Sequence, residues 1–297
     1  MKLPKKVQIK EVGPRDGLQN EKVSVPTHIK VEWINKLSET GLDYIEFSSF
    51  VHPKWIPVLA DAAEVAKLIK RNPNVTYAAL IPNMKGLERA LTVGIDEASV
   101  FMSASDTHNR KNINKSIEET FPVLQEVVDG AIKAEKNVRG YVSTVFGCPY
   151  DGAVDVDEVK KVVYKLMEMG VYEVSLGDTI GVANPKQVND VLDELLREFP
   201  VDKLALHLHD TRGMALANTL VGVEKGIKTF DSALGGLGGC PYAKGATGNV
   251  ASEDLIHMLG EMGIDTNVQF ERFMEAAKYI ENALNKSLPS HQLQIVR

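Results

Sequence analysis

The chain has 297 residues, of which 44% are hydrophobic and 25% are charged. That length can bury one sizeable core, so one domain over residues 1–297 is the expectation. The formal net charge is -6 at pH 7, and the interspersed acidic and basic residues argue against a nucleic-acid partner. No apolar run approaches the roughly 20 residues that cross a bilayer, so no membrane partner is expected.

Compartment signals point to the cytoplasm. Residues 1–12 alternate in polarity, whereas a secretion signal needs a continuous apolar stretch. The two cysteines, Cys148 and Cys240, lie far apart in the chain and are typical of free thiols in a reducing compartment. A cytoplasmic location is therefore predicted.

In chain order, short β-rich runs alternate with longer segments of helical periodicity up to about Gly263, which is typical of parallel βαβ units. The predicted strands are Val7–Val12, Tyr44–Ser48, Thr76–Ile81, Glu97–Met102, Val138–Thr144, Glu173–Leu176, Lys203–His209 and Thr229–Ala233. The amphipathic segments that would cover them include Ile29–Ser38, Ala60–Lys70, Ile117–Ala134, Val156–Met167 and Val188–Leu196.

The fold class predicted from this alternation is α/β, as a closed (β/α)8 TIM barrel. An open doubly wound sheet also alternates strands and helices, but eight consecutive units and the lack of a dinucleotide fingerprint after the first strand favour the barrel. A helical extension begins at about residue 267, and its helix, Gln269–Leu284, would pack across one end of the barrel or against another subunit.

Two histidines give the sharpest chemical signal. His207 and His209 share one face of a predicted strand, because residues i and i+2 point the same way. A lone histidine is usually a hydrogen-bonded core residue, whereas a pair with a carboxylate nearby favours a metal site. Asp16, at the end of the first strand, could supply that carboxylate, although its surroundings also resemble a turn. Asn249 could add an oxygen, and this mixed set suits Mg2+ or Mn2+.

Two further charged residues of the first strands fit the same site. Arg15 would lie beside the cation, where it could hold an oxygen that becomes negative during a reaction; the alternative is a surface salt bridge. Glu46 lies in an apolar run, and burying it requires a partner or a catalytic task. Arg15 is the obvious partner. Asp178 and Arg139 are further candidates for the site. The alternative for Asp178 is that it caps a helix, and the alternative for Arg139 is that it lies at an exposed strand end.

The glycine-rich segment 235–249 (GGLGGCPYAKGATGN) admits two interpretations. It could bind phosphate, but Lys244 lies in the wrong frame for a P-loop. A mobile lid that brings Cys240 over the site is the preferred interpretation, because glycines permit a hinge and lids exclude water. A cysteine alone is more often an inert core residue, and Cys148 is assigned that role.

Three segments resemble the 3-hydroxy-3-methylglutaryl-CoA lyase family: residues 12–21 (VGPRDGLQNE), residues 49–55 (SFVHPKW) and the glycine-rich loop. The resemblance runs along nearly the whole chain. Members of that family are TIM barrels that cleave their CoA thioester to acetyl-CoA and acetoacetate with a divalent cation. The resemblance therefore implies an acyl-CoA substrate and a Mg2+ or Mn2+ cofactor. Leucine degradation and ketone-body formation are the implied pathways, and a homo-oligomer, dimer or tetramer, is expected.

The resemblance also implies residue roles. The implied metal ligands are Asp16, His207, His209 and Asn249, and the implied catalytic residues are Arg15, Glu46, His207 and Cys240. Substrate contacts are expected from Arg15, Gln19, Asp178, Thr179 and Arg139, with Lys22 and Lys54 as further candidates for phosphate or carboxylate. The chain departs from animal members in having no cysteine near its C-terminus, so thiol-linked regulation is not expected.

The expected chemistry is a retro-Claisen cleavage. Asp16 or a neighbouring histidine would take the proton of the substrate's tertiary hydroxyl, whose pKa a cation lowers. Arg15 would hold the thioester oxygen as it becomes negative. Cys240 or a metal-bound histidine would then protonate the acetyl-CoA enolate.

Three other functions fit parts of this pattern. A Claisen-condensing synthase of the same superfamily, acting on an acyl-CoA and a 2-oxo acid, usually has a first motif closer to Thr-Leu-Arg-Asp-Gly-Glu-Gln. A metallohydrolase barrel would be expected to have further histidine ligands, and the other five histidines form no second cluster in the sequence. A catalytically silent binding barrel would not need this combination of residues.

Overall fold

The computed structural model describes residues 3–21, 23–238 and 248–295. Eight parallel strands form a closed barrel, in which each strand pairs with the next and the last pairs with the first. The strands are β1 Gln8–Glu11, β2 Tyr44–Ser49, β3 Thr76–Leu80, β4 Glu97–Ser103, β5 Asn137–Ser143, β6 Glu173–Asp178, β7 Leu204–Leu208 and β8 Thr229–Ser232. The predicted (β/α)8 barrel is confirmed, and the open sheet is excluded.

Helices follow the strands and cover the barrel. They are α1 Thr27–Ser38, α2 Ala62–Leu68, α3 Met84–Leu91, α4 Asp106–Ile113, α5 Ile117–Lys133, α6 Val156–Met169, α7 Pro185–Leu195, α8 Ala215–Glu224, α9 Ser252–Glu261, α10 Phe270–Leu284 and α11 His291–Ile295. Within the described ranges, no helix has the length and apolar character needed to span a bilayer.

The predicted strands end within one or two residues of the observed ones. The difference matters at His209, which was predicted inside a strand. It follows β7, outside the ladder, and forms an isolated antiparallel bridge with Asn249. This bridge between His209 and Asn249 therefore joins the end of β7 to the segment just before α9. The helix α4 was not predicted, because it is short and strongly polar.

The helical extension lies against α1 and α9 of the same chain. Its apolar face, which includes Phe273 and Ile280, is buried there. The N–H of Gln269 donates to the carbonyl oxygen of Thr40 at 2.6 Å, so α10 starts beside the end of α1. The helix α10 therefore extends the helical layer of this chain.

Polar side chains fill much of the barrel interior, while the aliphatic core lies between the strands and the helices. Lys10 and Arg139 both donate to Glu173, at 2.9 and 2.6 Å. Tyr44 and Tyr172 both donate to Glu97, at 2.9 Å each. We call these six residues the lower layer. Each buried charge there has a partner of opposite sign or a hydroxyl donor, as buried charges require.

Candidate active site

A tight turn of one π-helical coil, Gly13–Gly17, follows β1 and brings Arg15 and Asp16 to the barrel mouth. The carboxylate of Glu11 anchors this turn. It accepts from the N–H groups of Gly13 and Leu234, at 2.8 and 2.9 Å, and from the hydroxyl of Ser252 at 2.6 Å. Burial raises the pKa of Glu11 to about 7 despite these donors. A Cβ at position 13 would lie 2.5 Å from a Glu11 oxygen, so this approach requires glycine.

Asp16, His207 and His209 form a cluster at the mouth. One ligand atom from each lies within 4.8 Å of the other two. The Nε2 atoms of the two imidazoles are 3.3 Å apart, and His207 Nε2 is 3.9 Å from Asp16 Oδ2. The sequence prediction that these three side chains converge agrees with this geometry. The structure thus contains a group of residues that could hold a metal ion.

The protonation states of this cluster favour a cation. Burial and the neighbouring His207 lower the pKa of His209 to about 3. Burial alone would raise the pKa of Asp16, but Arg15 and the two imidazoles lower it to about 2. An ionised carboxylate and a neutral imidazole are the forms that bind metal ions.

Asn249 completes the cluster from the other side of the mouth. Its Nδ2 donates to Asp16 Oδ2 at 2.8 Å and to the carbonyl oxygen of Leu237 at 3.0 Å. Its Oδ1 is buried, with no hydrogen-bond partner among the described residues. A buried acceptor without a donor is unfavourable, and a cation beside Asp16 would satisfy it. Two nitrogens and two oxygens are thereby available for a divalent cation.

Two carboxylates fix Arg15. Its Nε donates to Glu46 Oε2 and its Nη1 donates to Asp16 Oδ1, both at 2.5 Å. Burial alone would lower the pKa of Arg15, but Glu46 and Asp16 raise it well above its ordinary value. The predicted pairing of Arg15 with Glu46 matches this geometry, and the surface salt bridge does not. A permanent positive charge is thus held next to the cluster of Asp16, His207 and His209.

A cavity of about 640 Å³ opens above these residues. Arg15, Asp16, both clustered histidines, Gln19 and Thr179 line it. Gln19 Oε1 and Thr179 Oγ1 are buried without partners in the described part of the chain. The exposed part of the wall includes Trp55, a residue that is 68% exposed, together with the polar residues His52, Asn112 and Lys115. The cavity is large enough for the acyl part of a sizeable substrate.

Other predicted site residues lie elsewhere. Asp178 accepts from the backbone N–H groups of residues 182 and 183, at 3.0 Å each, and does not line the cavity. Asp178 therefore organises the loop before α7, and the alternative of helix capping does not match either, because the cap of α7 is Asn184. Lys54 is exposed and also does not line the cavity. Cys240, Lys22 and Lys244 lie outside the described residues.

Arg139 is neither an exposed strand end nor a cavity residue. Its side chain is fully buried, and its Nη2 donates to Asp231 at 2.9 Å while its Nε donates to Glu173. Arg139 lies below the mouth because it comes four residues before the end of β5. Its donors are thereby directed to carboxylates of the protein.

Sequence reasoning missed two residues next to the cluster. Asp231 on β8 lies 3.3 Å from His207 Nδ1, and it accepts from the hydroxyl of Ser175 at 2.6 Å. Tyr141 on β5 lines the cavity, and its ring meets that of His207 edge-on with centroids 6.0 Å apart. An acid within an apolar strand was the signal that identified Glu46, and it applies equally to Asp231.

Comparison with known proteins places these features in a family. A family profile described as HMGL-like matches residues 6–280. A hydroxymethylglutaryl-CoA lyase of Bacillus subtilis is 58% identical over 297 residues, covering 100% of this chain and 99% of the relative. The rat mitochondrial hydroxymethylglutaryl-CoA lyase is 52% identical over 292 residues, covering 98% of this chain and 90% of that relative.

A solved structure extends the similarity to three dimensions. The HMG-CoA lyase of Acinetobacter baumannii, crystallised with coenzyme A and 3-methylmalate, superposes with a TM-score of 0.94 at 39% identity. The match covers 99% of this chain and 96% of that one. Fold, length and sequence agree along both molecules, and the chain belongs to the HMGL-like family, which includes the hydroxymethylglutaryl-CoA lyases.

Proposed function

We propose that this chain is a divalent-metal-dependent lyase that cleaves 3-hydroxy-3-methylglutaryl-CoA to acetyl-CoA and acetoacetate. The main support is the convergence of Asp16, His207 and His209 beside the fixed guanidinium of Arg15 in one cavity. The acyl-CoA substrate is supported by the names of the relatives and by the coenzyme A bound in the Acinetobacter structure.

Asp16, His207, His209 and the amide oxygen of Asn249 would hold Mg2+ or Mn2+. The bound cation would supply Lewis acidity, which lowers the pKa of the substrate's tertiary hydroxyl. Asp16 or a neighbouring histidine accepts the hydroxyl proton, so that an alkoxide forms on the substrate.

The alkoxide electron pair becomes the new carbonyl bond of acetoacetate, and the bond between C2 and C3 breaks. Its electrons move to the thioester enolate, whose oxygen carries the negative charge. Arg15 stabilises this oxygen, and Glu46 holds Arg15 in place. A proton from Cys240 or His207 then goes to C2, which completes acetyl-CoA.

The remaining site residues take supporting roles in this proposal. Gln19 and Thr179 bind polar groups of the substrate, because both residues line the cavity and each has a side-chain oxygen without a partner among the described residues. Asp178 holds the loop from which it accepts hydrogen bonds, and Arg139 holds the carboxylates of Glu173 and Asp231. We also propose one domain over residues 1–297, a cytoplasmic homo-oligomer of two or four subunits, and a place in leucine degradation and ketone-body formation.

The direct test is an assay of the purified protein with 3-hydroxy-3-methylglutaryl-CoA, in which acetoacetate is measured before and after chelation. Activity should require a divalent cation and return when Mg2+ or Mn2+ is added back. Full turnover after exhaustive chelation would contradict the proposal. Release of free CoA from acetyl-CoA and a 2-oxo acid would instead identify a condensing synthase.

A ligand variant tests the metal site separately from turnover. Asp16→Asn removes the only carboxylate of the ligand set, and it should weaken Mn2+ binding by about 10-fold or more, as measured by titration calorimetry. Asp190→Asn is a suitable control, since Asp190 lies on the outer helix α7 and pairs with Lys186. Equal Mn2+ affinity in both variants would show that Asp16 is not a ligand.

A further inference from the structure

Tyr141 has a buried hydroxyl that differs from those of the other tyrosines inside the barrel. The residue is 7% exposed, it lines the cavity, and its hydroxyl has no hydrogen-bond partner among the described residues. Tyr44 and Tyr172, by contrast, both donate to Glu97. A buried hydroxyl without a partner is unfavourable, so its retention in a residue that lines the cavity calls for a ligand.

Charged neighbours hold the Tyr141 ring in place. The guanidinium carbon of Arg139 lies 4.9 Å from the ring centroid, and that of Arg15 lies 5.4 Å from it. The ring of His207 meets it at 83°. These contacts place Tyr141 between the cationic group proposed to hold the thioester oxygen and a member of the metal-ligand cluster. A hydroxyl on a ring held this way needs little reorganisation to act as a donor.

We propose that the Tyr141 hydroxyl donates a hydrogen bond to the thioester oxygen of the substrate, as a second donor beside Arg15. The inference rests on the proposed function, in which the cation would act on the tertiary hydroxyl and Arg15 holds the thioester oxygen. The oxygen that gains charge as the carbon–carbon bond breaks then lies near Arg15, and Tyr141 is in contact with that guanidinium. No proton is transferred; the bond strengthens as the charge develops.

The test is Tyr141→Phe, which removes one oxygen and keeps the ring. Oxyanion donors act mainly on the transition state, so kcat should fall by about 100-fold while KM changes by less than about threefold. Mn2+ affinity and the melting temperature should match the wild type. A kcat within about threefold of the wild type would overturn the inference. A loss of folding would also overturn it, as would a loss of Mn2+ affinity as large as the loss of kcat.

Tyr44→Phe is the matched control. Tyr44 is 1% exposed, and this substitution also deletes a buried hydroxyl. That hydroxyl donates to Glu97, and Tyr44 does not line the cavity. It should lower the melting temperature and leave kcat and KM unchanged. If Tyr44→Phe slowed kcat as much as Tyr141→Phe, the effect would be one of packing, and the inference would fall.

A second reaction separates this inference from the proposed cleavage. Exchange of the acetyl hydrogens of acetyl-CoA in D2O passes through the same enolate and involves no carbon–carbon bond. Tyr141→Phe should slow this exchange by a factor similar to its effect on kcat. If the wild-type protein exchanges the acetyl hydrogens but does not cleave 3-hydroxy-3-methylglutaryl-CoA, the proposed substrate is refuted. The role of the Tyr141 hydroxyl is then still tested by the exchange rates. Equal exchange by wild type and variant would refute the role of the hydroxyl alone.

Discussion

The lower layer and the mouth of the barrel are buried to similar degrees, but they differ in how their polar groups are paired. In the lower layer, Lys10 and Arg139 share Glu173, and two tyrosine hydroxyls share Glu97. At the mouth, buried oxygens of Glu46, Thr179 and other residues have no partner within the described ranges. Pairing, and not burial, therefore separates the groups that stabilise the barrel from the groups available to a ligand.

Arg139 joins the two regions. It donates downward to Glu173 and toward the mouth to Asp231, which lies beside His207. Burial alone would raise the pKa of Asp231, but Arg139 and His207 lower it well below its ordinary value. Removing single members of each region should consequently give different defects. Two experiments test this difference, and a third tests a buried acid outside both regions.

The largest expected effect on stability is that of Arg139→Leu. It leaves the carboxylates of Glu173 and Asp231 without their main cation, and removing one partner of a buried pair typically costs about 3–5 kcal/mol. Urea denaturation should show that decrease in the free energy of unfolding. Arg197→Leu, at an exposed position paired with Glu194, should show no measurable change. A loss below about 1 kcal/mol for Arg139→Leu would mean that the lower layer does not depend on this charge.

At the mouth, Arg15→Gln should slow turnover by roughly 100-fold or more, because it removes a positioned donor to the thioester oxygen. The single variant leaves Glu46 buried without its cation, so the double variant Arg15→Gln/Glu46→Gln is the control for folding. The double variant should unfold at nearly the wild-type urea concentration and remain slow. A loss of turnover below about threefold in the single variant would refute the role of Arg15.

The smallest expected effect concerns a buried acid that has backbone donors in place of a cation. Glu253 on α9 accepts from the N–H of Gly235 with both oxygens, at 3.0 and 2.9 Å. Burial raises its pKa from 4.5 to about 8. The folded state thus binds this proton more tightly than the unfolded state, and its contribution to stability is complete below 4.5 and is lost as the pH rises through about 8.

Between about pH 5.5 and about pH 8, the free energy of unfolding should therefore fall by about 1 kcal/mol or more on account of Glu253. Glu253→Gln keeps a carbonyl acceptor for Gly235 and removes the titration, so its urea midpoint should vary less over that interval. A variant with the same pH dependence as the wild type would assign the slope to other groups.

Much of the fold and part of the site could be predicted from local sequence rules. Alternating strands and helices indicated the barrel, and the spacing of His207 and His209 placed both on one face. The position of Asp16 at the end of β1 then brought it to the same mouth. These inferences need only side-chain periodicity and the rule that parallel strands end together.

The roles of the other site residues depend on their level along the barrel axis, which the sequence of a single strand does not reveal. Arg139 and Tyr141 share a face of β5, yet one pairs with carboxylates below the mouth and the other lines the cavity. The stagger of neighbouring strands decides which residues meet at each level. The family resemblance implied that Asp178 contacts the substrate, but its oxygens accept from its own loop. That choice depends on backbone geometry after β6.

The carboxylate of Glu11 has a consequence for the order in which the molecule assembles. It accepts hydrogen bonds from the N–H of Leu234 and the hydroxyl of Ser252, which lie 223 and 241 residues further along the chain. Asn249 reaches Asp16 across 233 residues. Contacts of this sequence separation form only after a long loop has closed. A chain emerging from the ribosome can therefore complete the cluster of Asp16, His207, His209 and Asn249 only once β8 and the start of α9 have been synthesised and have joined β1.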